Sequence, residues 1–344
     1  MKVEVYTLDV GHGLCQAILF PGGDAVIIDG GPFSSLEVVQ EFLSDNVRRI
    51  IAYVLTHNHE DHYGAALNFL ETYPTKEKLN YIVLLVDRTS SEDIPFLQYA
   101  DERMKKKTIL DRVYAAISDA PFGPKELPLP PADGVSLKIL YPDIWETIDA
   151  MRPPHKRRKT GPRLQNQVGC CLMLEVKGKR CMFTGDMDRH GFTLIAQQYG
   201  FPITADVLTL PHHGGTIPGQ AGSMTWPEII EMISPSFAIV SCGSQDQLQR
   251  SSFEPLVQNG AKICCTEITK ECHPNFRNLA PALTTGDPAL PGLSERNGEA
   301  VSCFGSILTL LEDGHVEVVG YDQQRQRISE AVVSPGTPLC SVSS

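Results

Sequence analysis

The chain has 344 residues, enough for one large domain of roughly 250 residues with an appendage. Its hydrophobic content of 42% and charged content of 21% are those of an ordinary soluble globular protein. A formal net charge of −11 argues against an indiscriminate nucleic-acid coat protein, while leaving room for a locally basic groove. No apolar run is long enough for a transmembrane helix. The opening Met1-Lys2-Val3-Glu4-Val5-Tyr6-Thr7-Leu8-Asp9 alternates like a strand and carries an acid early, unlike a signal peptide. A cytoplasmic location and no membrane partner are therefore expected. The cysteines are spread over a long chain, and Cys171, Cys181 and Cys242 lie in strand-like apolar runs, so they read as reduced core thiols.

Residues 3–9, 15–20 and 24–29 read as three short strands joined by Gly11-His12-Gly13 and Pro21-Gly22-Gly23. His12 reads as a turn residue more than as a participant in chemistry. The third strand ends in Asp29-Gly30-Gly31, a turn of the kind that lets backbone approach a ligand closely. A helix is expected from Ser34 to Phe42. The apolar run Ile50-Ile51-Ala52-Tyr53-Val54-Leu55 reads as a buried strand, and His57, His59, Asp61 and His62 follow it directly. Side chains two apart in an extended segment point the same way, so His57 and His59 share one side. As the chain turns into helix, Asp61 and His62 face a second point nearby. The pattern suits two divalent ions side by side, zinc or manganese, one on the His pair and one on Asp61 and His62. The alternative is a His-rich surface turn.

Gly64 to Tyr73 continues as helix and Tyr81 to Val86 as strand. Pro95 to Ile117 reads as mostly helical, with Arg103, Lys105, Lys106 and Lys107 forming a solvated basic stripe. Leu127 to Asp133 is a Pro-rich connector, and Val135 to Tyr141 a strand. From Met151 to Leu174 there is no acidic residue, and Arg152, Lys156, Arg157, Arg158, Lys159 and Arg163 crowd into a Pro- and Gly-bearing loop. In an acidic chain such a loop is either a polyanion contact or a solvated linker.

Two apolar runs around Lys177-Gly178-Lys179 argue a hairpin, with Asp186 at the end of its second strand. There a carboxylate can reach the face of the His cluster and bridge two metals. Asp206 to Leu210 repeats the device, a strand followed by His212 and His213, and Phe237 to Ser241 is a further strand. Beyond it lie strand-like Ile263-Cys264-Cys265, a Pro/Gly/Asn-rich loop from Pro274 to Glu299, and Ile307 to Leu311. Asp313-Gly314 is a hairpin turn before Val316 to Val319. Cys265, Cys272, His273 and Cys303 are either a four-ligand structural zinc site or ordinary core thiols. Residues 1–260 thus read as the main domain and 261–333 as a small β-rich C-terminal extension. The loop at 274–299 is a lid or partner site, and 334–344 a disordered tail.

Several motifs together resemble the metallo-β-lactamase superfamily, and within it the branch holding the nuclease-like soluble domain of ComEC-type DNA-uptake proteins. They are Leu8-Asp9-Val10-Gly11-His12-Gly13, Ile28-Asp29-Gly30-Gly31, Leu55-Thr56-His57-Asn58-His59-Glu60-Asp61-His62, Asn166, Phe183-Thr184-Gly185-Asp186 and Leu210-Pro211-His212-His213-Gly214. The resemblance implies an α/β fold of four layers, the αββα sandwich, with the site along one edge and two metal ions in it. It implies that His57 and His59 hold the first ion and Asp61 and His62 the second, with Asp186 between them. His213, or else His212, completes the second set. Many superfamily members supply a further His to the first ion where this chain has Asn166 and Gln167. ComEC-like proteins also tend to carry Gly-His-Pro where this chain has Gln245 to Arg250.

The implied chemistry is hydrolysis of a phosphodiester by hydroxide held between the ions. Asp61 would orient the nucleophile, and whichever of His212 and His213 is not a ligand, with His212 the candidate, would stabilise the leaving oxygen. The basic loop 152–163 would track a nucleic-acid backbone without reading its sequence. Two other readings stand beside this one. The first is a metallohydrolase of small esters (a phosphocholine ester, lactone or thioester); the second is a sensor or scaffold stabilised by metal that docks a protein partner.

Overall fold

The computed structural model of the protein describes residues 1–72, 79–84, 98, 101–102, 110–119, 123–130, 132–150, 169–200, 203–243, 248–269, 271–272 and 302–331. The N-terminal half supplies β1 (Lys2–Thr7), β2 (Gln16–Leu19), β3 (Asp24–Ile28), β4 (Arg49–Val54), β5 (Leu79–Leu84) and β6 (Leu110–Ala115). Then follow β7 (Lys125–Leu127), β8 (Val135–Tyr141), β9 (Cys171–Val176), β10 (Lys179–Phe183), β11 (Val207–Thr209), β12 (Phe237–Val240) and β13 (Lys262–Cys265). The chain closes with β14 (Ile307–Glu312) and β15 (His315–Val318). The strands form two mixed sheets, ordered β15-β14-β1-β2-β3-β4-β5-β6 and β13-β12-β11-β10-β9-β8-β7.

The period of two along each strand sorts side chains between layers. On β3, Val26 and Ile28 enter the core that also holds Leu172, Leu174 and Met182 of the other sheet. Ala25 and Ile27 face the opposite way, towards Val39, Phe42 and Leu43 of helix α1 (Leu36–Asn46). Tyr81 and Val83 of β5 go to the inter-sheet core, whereas Ile82 and Leu84 join the helix-facing cluster with Phe69. On the far side Ile229, Ile230 and Phe253 cover the second sheet. They come from helices over Trp226–Ile233 and Arg250–Gln258. Helix, sheet, sheet, helix is the αββα order.

Each sheet is antiparallel on one side and parallel on the other. β3, β4, β5 and β6 run parallel, as do β10, β11, β12 and β13. The C-terminal ends of β3 and β4, and those of β10, β11 and β12, therefore open at shared edges. Such strand ends are where α/β sheets place ligands.

The strands expected at 3–9, 15–20, 24–29 and 135–141 and the 177–179 hairpin are found within a residue or two. Lys177 and Gly178 both adopt positive φ, as a two-residue hairpin turn demands. Two local expectations are corrected. Residues 110–115, read as part of a helix from Pro95 to Ile117, form β6, since pairing with β5 in the register Tyr81↔Arg112 and Ile82↔Val113 overrides local propensity. The connector expected from Leu127 begins with the end of β7, which pairs with β8. Segment 261–333, set apart above as an extension, supplies strands to both sheets: β13 pairs with β12, and β14 runs antiparallel to β1 along its full length. The stripe at Arg103 to Lys107, the loop 274–299 and the tail 334–344 lie outside the described residues. Among the described residues, no helix is long and apolar enough to cross a membrane.

Candidate metal centre

Four strand ends build one cluster. After β4, His59 is still extended (φ −102°, ψ 145°), and the short helix Glu60–Tyr63 begins after it. This is the extended-to-helical switch that the sequence implies for the two ligand pairs. His57 Nε2 lies 3.0 Å from His59 Nδ1 and 3.7 Å from Asp186 Oδ2. His62 Nε2 lies 3.4 Å from Asp186 Oδ1 and 3.6 Å from Asp61 Oδ2. From the end of β11, His213 Nε2 comes within 3.2 Å of Asp61 Oδ2 and 3.6 Å of Asp186 Oδ1. Asp186, at the end of β10, thus turns one carboxylate oxygen to each group.

These residues fit divalent ions. Donors about 2.0–2.1 Å from a tetrahedral centre are about 3.3–3.4 Å apart. The contacts among His62, His213, Asp61 and Asp186 scatter around that edge, at 3.2–3.6 Å. His62 Nε2 and Asp186 Oδ1 are moreover buried without a hydrogen bond. Buried polar atoms are ordinarily satisfied, so this pair suits a charged ligand between them.

A second layer aims the imidazoles. Asp29 Oδ2 lies 2.8 Å from His62 Nδ1, and the same carboxylate accepts from Thr56 N (2.8 Å) and Thr56 Oγ1 (2.7 Å). Ser241 O accepts from His213 Nδ1 at 3.0 Å. A carbonyl only accepts, so Nδ1 of His213 carries a proton and Nε2 is the nitrogen that faces the cluster. Burial opposes charge on His62, but Asp29 and Asp186 outweigh it and hold its pKa well above the usual imidazole value. Burial also opposes charge on Asp186, yet His213, His62 and His57 keep it well below the carboxylate range. Burial pushes His57 well down, reinforced by His62. Neutral imidazole and ionised carboxylate are the forms that bind metal, so His57 and Asp186 stand ready for an ion, while His62 would give up a proton as one entered.

Backbone strain gathers here too. Asp29, His212 and His213 all hold left-handed φ (59°, 54° and 53°). Such conformations cost non-glycine residues of order 1–3 kcal/mol each and persist where the surroundings enforce them. Gly185 brings β10 against the His strand: a Cβ there would meet Thr56 Oγ1 at 2.6 Å.

His213, 6% exposed, stands at ligand distance. His212 is 33% exposed, its Nε2 is 3.9 Å from Asp186 Oδ2, and its Nδ1 bonds Thr216 O at 2.7 Å. The geometry favours His213 as the ligand of the pair. Two further residues belong to the cluster beyond those singled out from sequence. Asp29 stood in a recognised Gly-rich turn, with nothing local to say that it would meet His62. His12, read as a turn residue, places Nε2 3.6 Å from Asp61 Oδ2. Asn166, the basic residues Arg152, Lys156, Arg157, Arg158, Lys159 and Arg163, and His273 lie outside the described residues. Among the described residues, the sets of ligand-type side chains within 4.8 Å of one another all fall in the His/Asp cluster, and Cys265, Cys272 and Cys303 form none. A hydrogen bond with Cys242, together with burial, pushes the Cys265 thiol well up in the metal-free protein.

ComE operon protein 3 of Bacillus subtilis (strain 168) is 24% identical over 267 residues, covering 71% of this chain and 29% of that protein. Competence protein ComA of Neisseria gonorrhoeae is 25% identical over 142 residues, 40% of this chain and 17% of that one. The chain thus spans less than a third of the length of either relative. Among solved structures, the metallo-beta-lactamase fold protein YhfI from Bacillus subtilis aligns with a TM-score of 0.43 and 10% identity over 76% of this chain and 96% of that one. A family model described as the metallo-beta-lactamase superfamily matches residues 10–217, the stretch that carries β4, β10, β11 and the cluster at their ends, and the chain belongs to that superfamily.

Proposed function

We propose that the protein is a hydrolase of phosphodiesters, with nucleic acid as the substrate class, working with two divalent ions. Superfamily members are mostly metal-dependent hydrolases. The observation that carries the reading is the division of the Asp186 carboxylate between two donor groups, His57 with His59 and His62 with His213 and Asp61. Zinc or manganese in that arrangement would make water nucleophilic near neutral pH and offset charge on phosphoryl oxygens. His57, His59 and Asp186 would hold the first ion; Asp61, His62, His213 and Asp186 the second. Asp61, 21% exposed, stands where it can also orient the attacking water. His212 stands on the solvent side with Nε2 towards Asp186, and we place it against the leaving oxygen. The phosphodiester part of the reading is supported by the basic run Arg152 to Arg163 in a chain of net charge −11 and by the motif resemblance described above.

A substrate panel on metal-reconstituted protein tests it: single- and double-stranded DNA, RNA, bis-p-nitrophenyl phosphate, and carboxylic ester, lactone and thioester probes. Cleavage of nucleic acid, lost in Asp61→Ala, is the expected result. Turnover of carboxylic esters alone would replace the substrate class, and retained metal with no turnover of any probe would refute the hydrolase. Neutralising Arg157, Arg158 and Lys159 together should weaken DNA binding and flatten its salt dependence.

A further inference from the structure

The segment Gly11-His12-Gly13 joins β1 to β2 at the rim of the cluster, and its backbone is held from several sides. Gly13 O accepts from Ser241 Oγ at 2.7 Å, and Leu14 N donates to Asp61 O at 3.1 Å. Gly13 has φ +147°, and a Cβ on it would strike Asp61 O at 2.4 Å. Gly243 packs so closely that a Cβ there would lie 2.6 Å from His12 N. Gly11 and Gly13 are buried, yet the His12 side chain is 62% exposed. A fixed backbone therefore presents a solvent-side imidazole to the cluster.

That imidazole reaches the cluster at ligand-like separation. His12 Nε2 is 3.6 Å from Asp61 Oδ2, the same distance as His62 Nε2, and its ring centroid is 5.0 Å from that of His213. His12, Asp61 and His213 offer donor atoms within 4.8 Å of one another, as do His62, Asp186 and His213. His213 is common to both sets and has one nitrogen to give, because Nδ1 faces Ser241 O. An ion on His213 Nε2 would therefore be open to donors from both sets.

We propose that His12 is a fifth protein ligand of the second ion, closing its coordination sphere on the solvent side. The inference rests on the metal-centre reading above. It makes the two positions unequal: five protein donors at the second against three at the first among the described residues. Zinc can expand from four ligands to five, and manganese favours more than four.

Metal-free wild type, His12→Ala and His12→Gln would be titrated with zinc against a chromophoric chelator, and with cobalt(II) while following visible absorption. Wild type should bind two ions. His12→Ala should bind one of them roughly 10- to 100-fold more weakly, near the range for disturbed metal sites. Its cobalt absorption should intensify as the coordination number drops, and His12→Gln should behave likewise. The metal-free variants should unfold at the wild-type temperature, because the altered side chain is exposed. Unchanged affinities and an unchanged cobalt spectrum in both variants would overturn the proposal, even if KM rose, which would put His12 on the substrate instead. Failure of wild type to take up any ion would overturn the metal-centre reading itself.

Discussion

Replacing Asp29 by Asn removes one charge and inverts one hydrogen-bonding position without disturbing the chain path. Asp29 has φ 59°, and Asn tolerates that left-handed conformation well, so the strand end should keep its shape. The carboxylate accepts three bonds: Thr56 N at 2.8 Å on one oxygen, and Thr56 Oγ1 at 2.7 Å with His62 Nδ1 at 2.8 Å on the other. An Asn can keep its oxygen on Thr56 N, but its amide then meets the Thr56 hydroxyl and the His62 ring. The hydroxyl can rotate to accept. His62 must either leave two donors facing each other or move its proton to Nε2, the atom turned towards Asp61 and Asp186. Losing such an outer partner weakens metal binding roughly 10- to 100-fold, or about 1.4–2.7 kcal/mol. The loss should fall on the ion held by His62. His57 should be little affected, because its Nδ1 leans on Thr56 Oγ1 at 3.3 Å rather than on Asp29. Zinc competition against a chelator, with circular dichroism and Tm as controls on folding, measures both constants. If the Asp29→Asn protein folds and binds both ions within about twofold of wild type, far short of the tenfold loss expected, Asp29 does not set the proton on His62 and the reasoning fails.

Three further outcomes are expected. Asp186→Ala should reduce the content of both ions after dialysis, whereas Asp61→Ala should reduce mainly one; full retention of one ion in Asp186→Ala would contradict a shared carboxylate. Gly185→Ala places a Cβ 2.6 Å from Thr56 Oγ1 at φ +49°. It should cost about 1–3 kcal/mol, and a calorimetric Tm equal to wild type would show that the two strand ends do not press together. Burial alone would lower His213, but Asp186 and the hydrogen bond to Asp61 outweigh it and push its pKa up to about 9 in the metal-free protein. Charged His213 therefore stabilises that state fully below about 6.5 and loses this contribution as pH rises through about 9. Zinc entering at about pH 7.5 should displace the proton. Calorimetric titration in two buffers of different ionisation enthalpy reads the release, and a heat independent of buffer would refute the charged state.

Much of the frame was legible in order along the chain. The alternation in residues 2–7 and 135–141, the apolar run at 25–28 and the paired runs around Lys177-Gly178 declare strands, because a pleated ribbon has one period and a hairpin turn few sequences. His57, His59, Asp61 and His62 were legible as candidate ligands because they crowd into six positions after a buried strand. Residues 110–115 were not: their strand character comes from the free edge of β5, which lies far off in sequence. Nor could the sequence tell that β14 would pair with β1.

Local order along the chain determined which residues carry metal-binding chemistry and that strand ends would present them, since periodicity and donor type are properties of short stretches. Only the tertiary structure decided how those stretches meet. It split the Asp186 oxygens between two donor groups, set His213 rather than His212 at ligand distance, and brought Asp29 and His12 to His62 and Asp61. The reason is that parallel pairing of β3 with β4, and of β10 with β11 and β12, aligns strand ends drawn from distant parts of the sequence. Which side chains then face one another is a matter of register and of the few left-handed residues that turn the chain inward.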